Sequence, residues 1–179
     1  MSKAIEVLRH EHDAILMALD ILDRIVDAAK HGRIDSEDAV SFVGFLKEFA
    51  DKCHHGKEEG LLFPAMIGAG APTEGGPVSV MLEEHERGRA LVAAMVAACD
   101  PVLRPEAFGD AAAAYTAHLR MHIEKENTEL FPLAERIIDP ATLEALISKF
   151  EAHEEVVIGH GRHEELHDML KAMKSKYLP

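Results

Sequence analysis

An internal repeat constrains this chain more than any other feature of its sequence. Residues 54–64 read HHGKEEGLLFP and residues 122–132 read HIEKENTELFP, so both segments contain the pattern HxxKExxxLFP. A looser pattern precedes each copy, with Glu11-His12 before the first and Glu84-His85 before the second. The same residue types recur at the same spacing in both halves, which indicates a duplicated structural unit.

The repeated residues are of the types that bind metals. A His and a Glu four residues apart lie on one helix face, so both side chains can reach one metal or bracket a pair. Imidazole suits iron, zinc, copper and nickel, and bundle sites in which carboxylates bridge two cations typically hold iron or manganese. Iron is therefore the first choice for a two-metal site. Its predicted ligands are four histidines and two glutamates, namely His12, His54, Glu58, His85, His122 and Glu126.

The spacing of apolar residues predicts an all-helical chain. Helices are expected over residues 3–30, 36–62, 77–99 and 105–130, and a fifth is expected from residue 140 onward. Pro64 and Pro132 are expected to end the second and fourth helices, because proline lacks a backbone donor. Mostly short connections favour antiparallel neighbours. We expect an all-α fold, an up-down-up-down four-helix bundle over residues 1–138, with residues 139–179 as an additional C-terminal helix packed on it in the same domain.

Charge and hydropathy narrow the classes of partner. Acidic residues are spread along the chain and the net charge is −13, which argues against a nucleic-acid partner. The N-terminal residues soon become charged and no apolar run is long enough to span a bilayer, so no membrane partner is expected. Cys53 and Cys99 lie far apart in predicted helices and are expected to be free thiols in a reducing compartment. These features predict a soluble cytoplasmic protein.

The motifs HHGKEEGLLFP, EEHE and HIEKENTELFP resemble the ligand motifs of hemerythrin-like, or HHE cation-binding, proteins. The resemblance extends over residues 4–136, nearly the whole predicted bundle. It implies a hemerythrin-like bundle in which the six predicted ligands hold two iron ions, Fe2+ or Fe3+, bridged by oxo or hydroxo groups and by carboxylates. It also implies a small diatomic ligand, or peroxide, as the binding partner.

The sequence departs from the oxygen-carrying hemerythrins in its third ligand helix. Those proteins have two histidines four residues apart there, whereas the neighbours of His85 at that spacing are Met81 and Arg89. A site one imidazole short would leave more coordination positions for water, nitric oxide or peroxide. The motifs HHGKEEGLLFP and GPVSVMLEEH are also similar to the branch of the family that repairs iron centres after nitrosative damage, although the cysteine-bearing N-terminal domain of that branch is absent from this sequence.

Other polar residues are expected around the site. His55 points about 100° away from His54 on an α-helix, so it is expected at the edge of the site, as is His10 beside His12. Tyr115 and His118 lie two turns and one turn before His122, on about the same face, and could line the pocket. Lys57 and Lys125 are expected to pair with neighbouring carboxylates or to lie at the surface. The C-terminal histidines 153, 160, 163 and 167 favour a docking helix or lid over a second metal site.

The sequence leaves three functions open. The first is a non-haem di-iron protein that binds oxygen, nitric oxide or peroxide at an open iron position. The second is a di-iron enzyme that consumes peroxide or nitric oxide, and the third is a protein that repairs iron centres or handles iron. Whether the protein is an enzyme is not decided by these residues.

Overall fold

The computed structural model describes residues 2–178. These residues form six helices and no strand. The helices are α1 (Lys3–Lys30), α2 (residues 36–68), α3 (Pro77–Cys99), α4 (residues 105–137), α5 (Pro140–Val157) and α6 (Arg162–Tyr177). Helix α4 packs along α1 and α3, and α2 packs against α1 and α3, so the first four helices form a bundle. Helices α5 and α6 lie against α1. The expected all-α bundle with additional C-terminal structure is confirmed.

The ends of the first and third helices lie where the sequence places them. The Ser2 side chain accepts a hydrogen bond from the Ile5 N–H at the start of α1, and His31 follows its last residue. Helix α3 begins at Pro77, a residue whose fixed φ and missing N–H suit a first turn. These caps satisfy backbone groups that a helix end would otherwise leave without partners.

Helices α2 and α4 continue past their prolines, so the expected ends at residues 62 and 130 are wrong. π-Helical segments precede the prolines, at Glu58–Leu62 in α2 and at Glu126–Leu130 in α4. The N–H of Phe63 donates to the carbonyl of Glu58, five residues earlier. This wider turn relieves the clash that a proline ring makes with the carbonyl four residues before it in an α-helix. The chain therefore remains helical to Gly68 and to Ile137.

Two apolar clusters fill the bundle. One contains Phe42, Phe45, Phe49 and Phe108, and the other contains Phe63, Phe131 and Phe150. On α1, α2 and α3 the predicted ligands fall between these clusters along the helix, so the site is enclosed by apolar side chains on both sides. Among residues 2–178, no helix combines the length and apolar character that crossing a bilayer requires.

The C-terminal region consists of two helices rather than one continuous helix. Gly159 and Gly161 separate α5 from α6, and both adopt positive φ values, +94° and +76°, that favour glycine. Each helix buries its own apolar stripe. Leu143, Leu146 and Phe150 of α5 join one bundle cluster, and Leu166, Leu170 and Met173 of α6 join the other. Both helices are thus part of the packed core.

Phe150→Ala is expected to lower the free energy of unfolding of the metal-free protein by about 3–5 kcal/mol, because it leaves a cavity under α5. The Phe150 side chain is 2% exposed. Val156→Ala on the same helix removes a side chain that is 85% exposed, and it should change stability by no more than about 0.5 kcal/mol. Urea unfolding followed by circular dichroism measures both. Equal effects of the two substitutions would contradict the packing of α5.

Candidate metal centre

The six predicted ligands converge inside the bundle. Each of the first four helices contributes at least one of them, and none is more than 1% exposed. Helix α1 supplies His12, α2 supplies His54 and Glu58, α3 supplies His85, and α4 supplies His122 and Glu126. The repeat thus positions one His–Glu pair on each of two helices and one further His on each of the other two.

Glu58 lies between histidines of two helices. One of its oxygens, Oε1, is 3.6 Å from Nε2 of His54, and the other, Oε2, is 3.4 Å from Nε2 of His85. The two oxygens of this carboxylate thus face histidines of two different helices. Neither oxygen has a hydrogen-bond partner among the described residues.

Glu126 occupies the corresponding position on α4. Its Oε2 lies 3.1 Å from Nε2 of His12 and 3.3 Å from Nε2 of His122, and its Oε1 lies 3.9 Å from Nε2 of His85. The Nε2 atoms of His85 and His122 are themselves only 3.1 Å apart. Four imidazoles and two carboxylates therefore face one small buried volume.

Each of the four histidines uses its other ring nitrogen, Nδ1, to contact a side-chain oxygen. Carboxylate and amide oxygens accept hydrogen bonds, so Nδ1 carries a proton in each ring and Nε2 is the atom that faces the centre. Such outer partners fix the tautomer and orientation of metal-binding histidines. The pairs are His54 with Glu11 at 2.8 Å, His122 with Glu84 at 3.0 Å, His85 with Glu59 at 2.7 Å, and His12 with the Asn127 amide oxygen at 3.0 Å.

The outer network repeats the duplication of the sequence. Lys57 pairs with Glu11, and Lys125 pairs with Glu84, so the lysine of each motif orients the carboxylate that holds the motif's histidine. The phenylalanine of each motif packs on a histidine from another helix: Phe131 stacks on His12 at 5.2 Å between ring centroids, and Phe63 on His85 at 5.8 Å. The motif therefore contains the candidate ligands, the residues that orient them and the apolar side chains that cover them.

Several buried polar atoms in the centre have no hydrogen-bond partner within the described chain. They are Nε2 of His12, Nε2 of His54, and both carboxylate oxygens of Glu58 and of Glu126. Each such atom costs roughly 1–3 kcal/mol if it remains unsatisfied, and more if it is charged. A bound cation satisfies lone pairs of these two kinds, imidazole nitrogen and carboxylate oxygen. The residues present thus fit a metal.

His55 belongs to the centre, although the sequence places it only at the edge. It is buried and stacks on His85 with ring centroids 3.9 Å apart. Its ligand atom lies within 4.8 Å of those of Glu58, His85 and His122. The reason is the π-helical segment Leu46–His55, in which more residues per turn bring consecutive side chains closer in direction than in an α-helix. His54 and His55 can therefore both face inward.

The ligand atoms form two groups. His12, His54, Glu58 and Glu126 make one, and His55, Glu58, His85 and His122 make the other, with ligand atoms within 4.8 Å of one another in each group. Glu58 is common to both. At the position of His55, the second copy of the repeat has Ile123, so the two groups are not equivalent.

The carboxylates control the charge of the histidines. Burial disfavours a charged His85, but Glu126, Glu58 and Glu59 outweigh this effect and raise its pKa to about 11. Burial and the charges of neighbouring groups, His85 first among them, lower the pKa of His55 well below its usual value. In the metal-free centre the protonated His85 ring thus carries a positive charge between the carboxylates, while the His55 ring remains neutral and has a lone pair available.

Tyr115 and His118 lie around the centre. Tyr115 is buried and lines a cavity that His55 also lines. His118 bonds through Nε2 to the backbone carbonyl of Glu84, at 2.8 Å, and so supports the helix that carries His85. Glu59 of α2 accepts the Nδ1 hydrogen bond of His85, and His10 is exposed.

Three of the four C-terminal histidines contact the bundle, and His160 is 95% exposed. His163 and His167 contact the Phe49 ring, at 5.6 Å and 5.3 Å between centroids. His163 also lies with Glu11, Cys53 and Glu154 in a third group of potential ligands. The Lys57 ammonium already pairs with both carboxylates of that group, and burial raises the pKa of Cys53 to about 12, which keeps its thiol protonated. These contacts support a docking role for the C-terminal histidines.

The fold and the centre together define a helical bundle with a buried histidine and carboxylate cation site. Among known families, residues 3–134 match the hemerythrin HHE cation binding domain. The match covers most of the chain, and the protein belongs to the hemerythrin HHE cation-binding family. Comparison with curated proteins and with solved structures gives no match.

The metal content of substituted proteins should distinguish the metal ligands from residues that do not bind metal. Glu126→Ala or His54→Ala should empty or cripple the site, because each removes a buried ligand, whereas His55→Ala should reduce the metal content of only one group. His163→Ala should retain normal metal content, because its ring packs on the outer face of α2. Metal per chain is measured by mass spectrometry after identical loading. Full occupancy in Glu126→Ala would contradict the ligand assignment.

Metal affinity should rise with pH. A metal must displace the proton of His85, whose pKa in the metal-free protein is about 11, so each unit of increase below that value should strengthen binding about tenfold for one displaced proton. Calorimetric titration with Zn2+ between pH 6 and 8, in buffers of different ionisation enthalpy, measures the proton release. Glu59→Gln removes one carboxylate that raises this pKa and should reduce the release. Binding independent of pH would contradict this role of His85.

Proposed function

We propose that this protein is a cytoplasmic non-haem di-iron protein that binds a small ligand, namely oxygen, nitric oxide or peroxide, at an open iron position. The observation that carries the proposal is the pair of ligand groups joined by Glu58. One shared carboxylate between two sets of imidazoles suits two cations held close together rather than one.

The donor set favours iron among the metals of this family. It consists of imidazole nitrogen and carboxylate oxygen, with no thiolate, since Cys53 lies outside the two ligand groups and stays protonated. When bound, two irons supply a redox pair and Lewis acidity at a water-poor site. The two apolar clusters on either side of the ligands exclude bulk water from that volume.

The chain's own residues position the centre. Glu11, Glu84 and Glu59 keep the imidazoles of His54, His122 and His85 in the tautomer that presents Nε2. Burial opposes ionisation of Glu11, but hydrogen bonds and charges from His54 and Lys57 outweigh it and lower its pKa to about 2. The carboxylate thus remains an acceptor throughout the physiological pH range, and the ligand that it holds keeps its orientation.

His55 changes the argument about ligand number. The third helix lacks one histidine of the oxygen-carrying pattern, and this absence favours chemistry at additional open positions. His55 on α2 supplies a fifth buried imidazole beside Glu58, His85 and His122. Each group therefore has four candidate ligand residues, three imidazoles and one carboxylate on the His55 side and two imidazoles and two carboxylates on the other. Four ligands leave a coordination position open for a small molecule.

The test is metal content together with an optical spectrum of protein purified without oxygen and then exposed to air. Two irons per chain and new near-ultraviolet and visible bands are expected. Reversal of the bands on removing oxygen indicates a carrier, and repeated loss of added peroxide or nitric oxide indicates an enzyme. Glu126→Ala serves as the control without a centre. No iron and no spectral change after reconstitution would contradict the proposal.

A further inference from the structure

A cavity of about 430 Å³ lies between α2 and α3 and ends at the metal centre. His55 forms part of its wall, and His55 stacks on His85 and shares a ligand group with Glu58. Tyr115 of α4 also lines it. The cavity therefore reaches the ligand group that contains His55, and not the group of His12 and His54.

The wall that α3 contributes is largely apolar. Val92, Ala93, Val96 and Ala97 line it, and Val96 is 40% exposed, so the apolar surface continues to the protein surface. Such a surface carries no donor or acceptor that would hold an ion, and small apolar molecules occupy it in preference to anions.

Gly88 gives the cavity room near the centre. It lies inside α3, where glycine costs about 1 kcal/mol relative to alanine. A Cβ at this position would meet only Tyr115 Cε2 at 3.9 Å and His118 Cδ2 at 4.0 Å, which are ordinary contacts. Alanine is therefore accommodated, whereas a longer side chain would fill the space between α3 and Tyr115.

The charged residues that line the cavity are of both signs, Lys47 and Arg89 against Asp51 and Asp100. The Arg89 guanidinium contacts Asp51 at 2.8 Å, Glu59 at 2.5 Å and Glu86 at 2.7 Å. Its positive charge is thus neutralised by three carboxylates, and it does not attract a free anion into the cavity. The arginine also ties α3 to α2 at the position where Glu59 holds His85.

We propose that this cavity is the entry route by which a small uncharged molecule, a diatomic gas above all, reaches the His55 side of the centre. The inference rests on the proposed function, since it assumes a small ligand at the metals. It adds the side of approach, the preference for uncharged over anionic ligands, and Gly88 and Arg89 as residues that set the width and the charge of the route.

The first test compares the association rate of nitric oxide, an uncharged molecule, with that of azide, an anion. Both are mixed with reduced, iron-loaded protein in an anaerobic stopped-flow instrument. Gly88→Leu should slow nitric oxide association by about tenfold or more, with unchanged iron content and final spectrum, while Gly88→Ala should remain near the native rate. Ala93→Trp, which lines the route, should also slow association. Ala94→Trp, the matched exposed neighbour outside the route, should not.

The second test does not depend on bound iron. Crystals of the metal-free protein under xenon pressure should show xenon between Val92 and Tyr115, because xenon enters apolar cavities, and Gly88→Leu should lose that xenon. Absence of xenon from the native cavity, or equal nitric oxide rates in all variants, would overturn the entry route. Native protein that holds iron but never reacts with nitric oxide, oxygen or peroxide would overturn the proposed function, and xenon in the cavity would still identify it as an open apolar chamber.

Discussion

The buried carboxyl groups of Glu58 and Glu126 determine how the residues around them are arranged. Within residues 2–178, two carboxylates without hydrogen-bond partners lie between the two apolar clusters of the bundle. Such groups are too costly to bury unless a cation accompanies them. A protonated histidine beside the carboxylates provides that positive charge in the metal-free protein. When a metal is bound, the metal provides the charge and the histidines bind it together with the carboxylates. Folding and metal binding are consequently coupled in this chain.

The residues that hold the histidines in place follow the same repeat as the candidate ligands. A lysine, a glutamate and a histidine form a chain of contacts in each half, Lys57–Glu11–His54 and Lys125–Glu84–His122. Each chain joins two helices, so the ligands are held by contacts that also hold the bundle together. Duplication of the sequence explains why both halves contain the same chain of contacts, because each copy of the repeat carries the lysine and the histidine of its own chain.

Much of this arrangement follows from local sequence rules. Periodicity and caps predict α1 and α3, and the repeat predicts six residues that converge in the structure. The rules fail where the backbone is π-helical. They place His55 at the edge of the site and end two helices at Pro64 and Pro132, because they assume the angle between residues of an α-helix. The burial of Lys57 also escapes them, because it depends on Glu154, far away in the sequence.

The two lysines differ in one respect that affects dynamics. Lys57 is fully buried beneath α5 and contacts Glu154 there, whereas the Lys125 side chain is 44% exposed. Local opening needs less free energy where fewer buried contacts must break. The half formed by α3 and α4 should therefore open more often than the half formed by α1 and α2. The C-terminal helices thus add buried contacts that must break before the half formed by α1 and α2 opens.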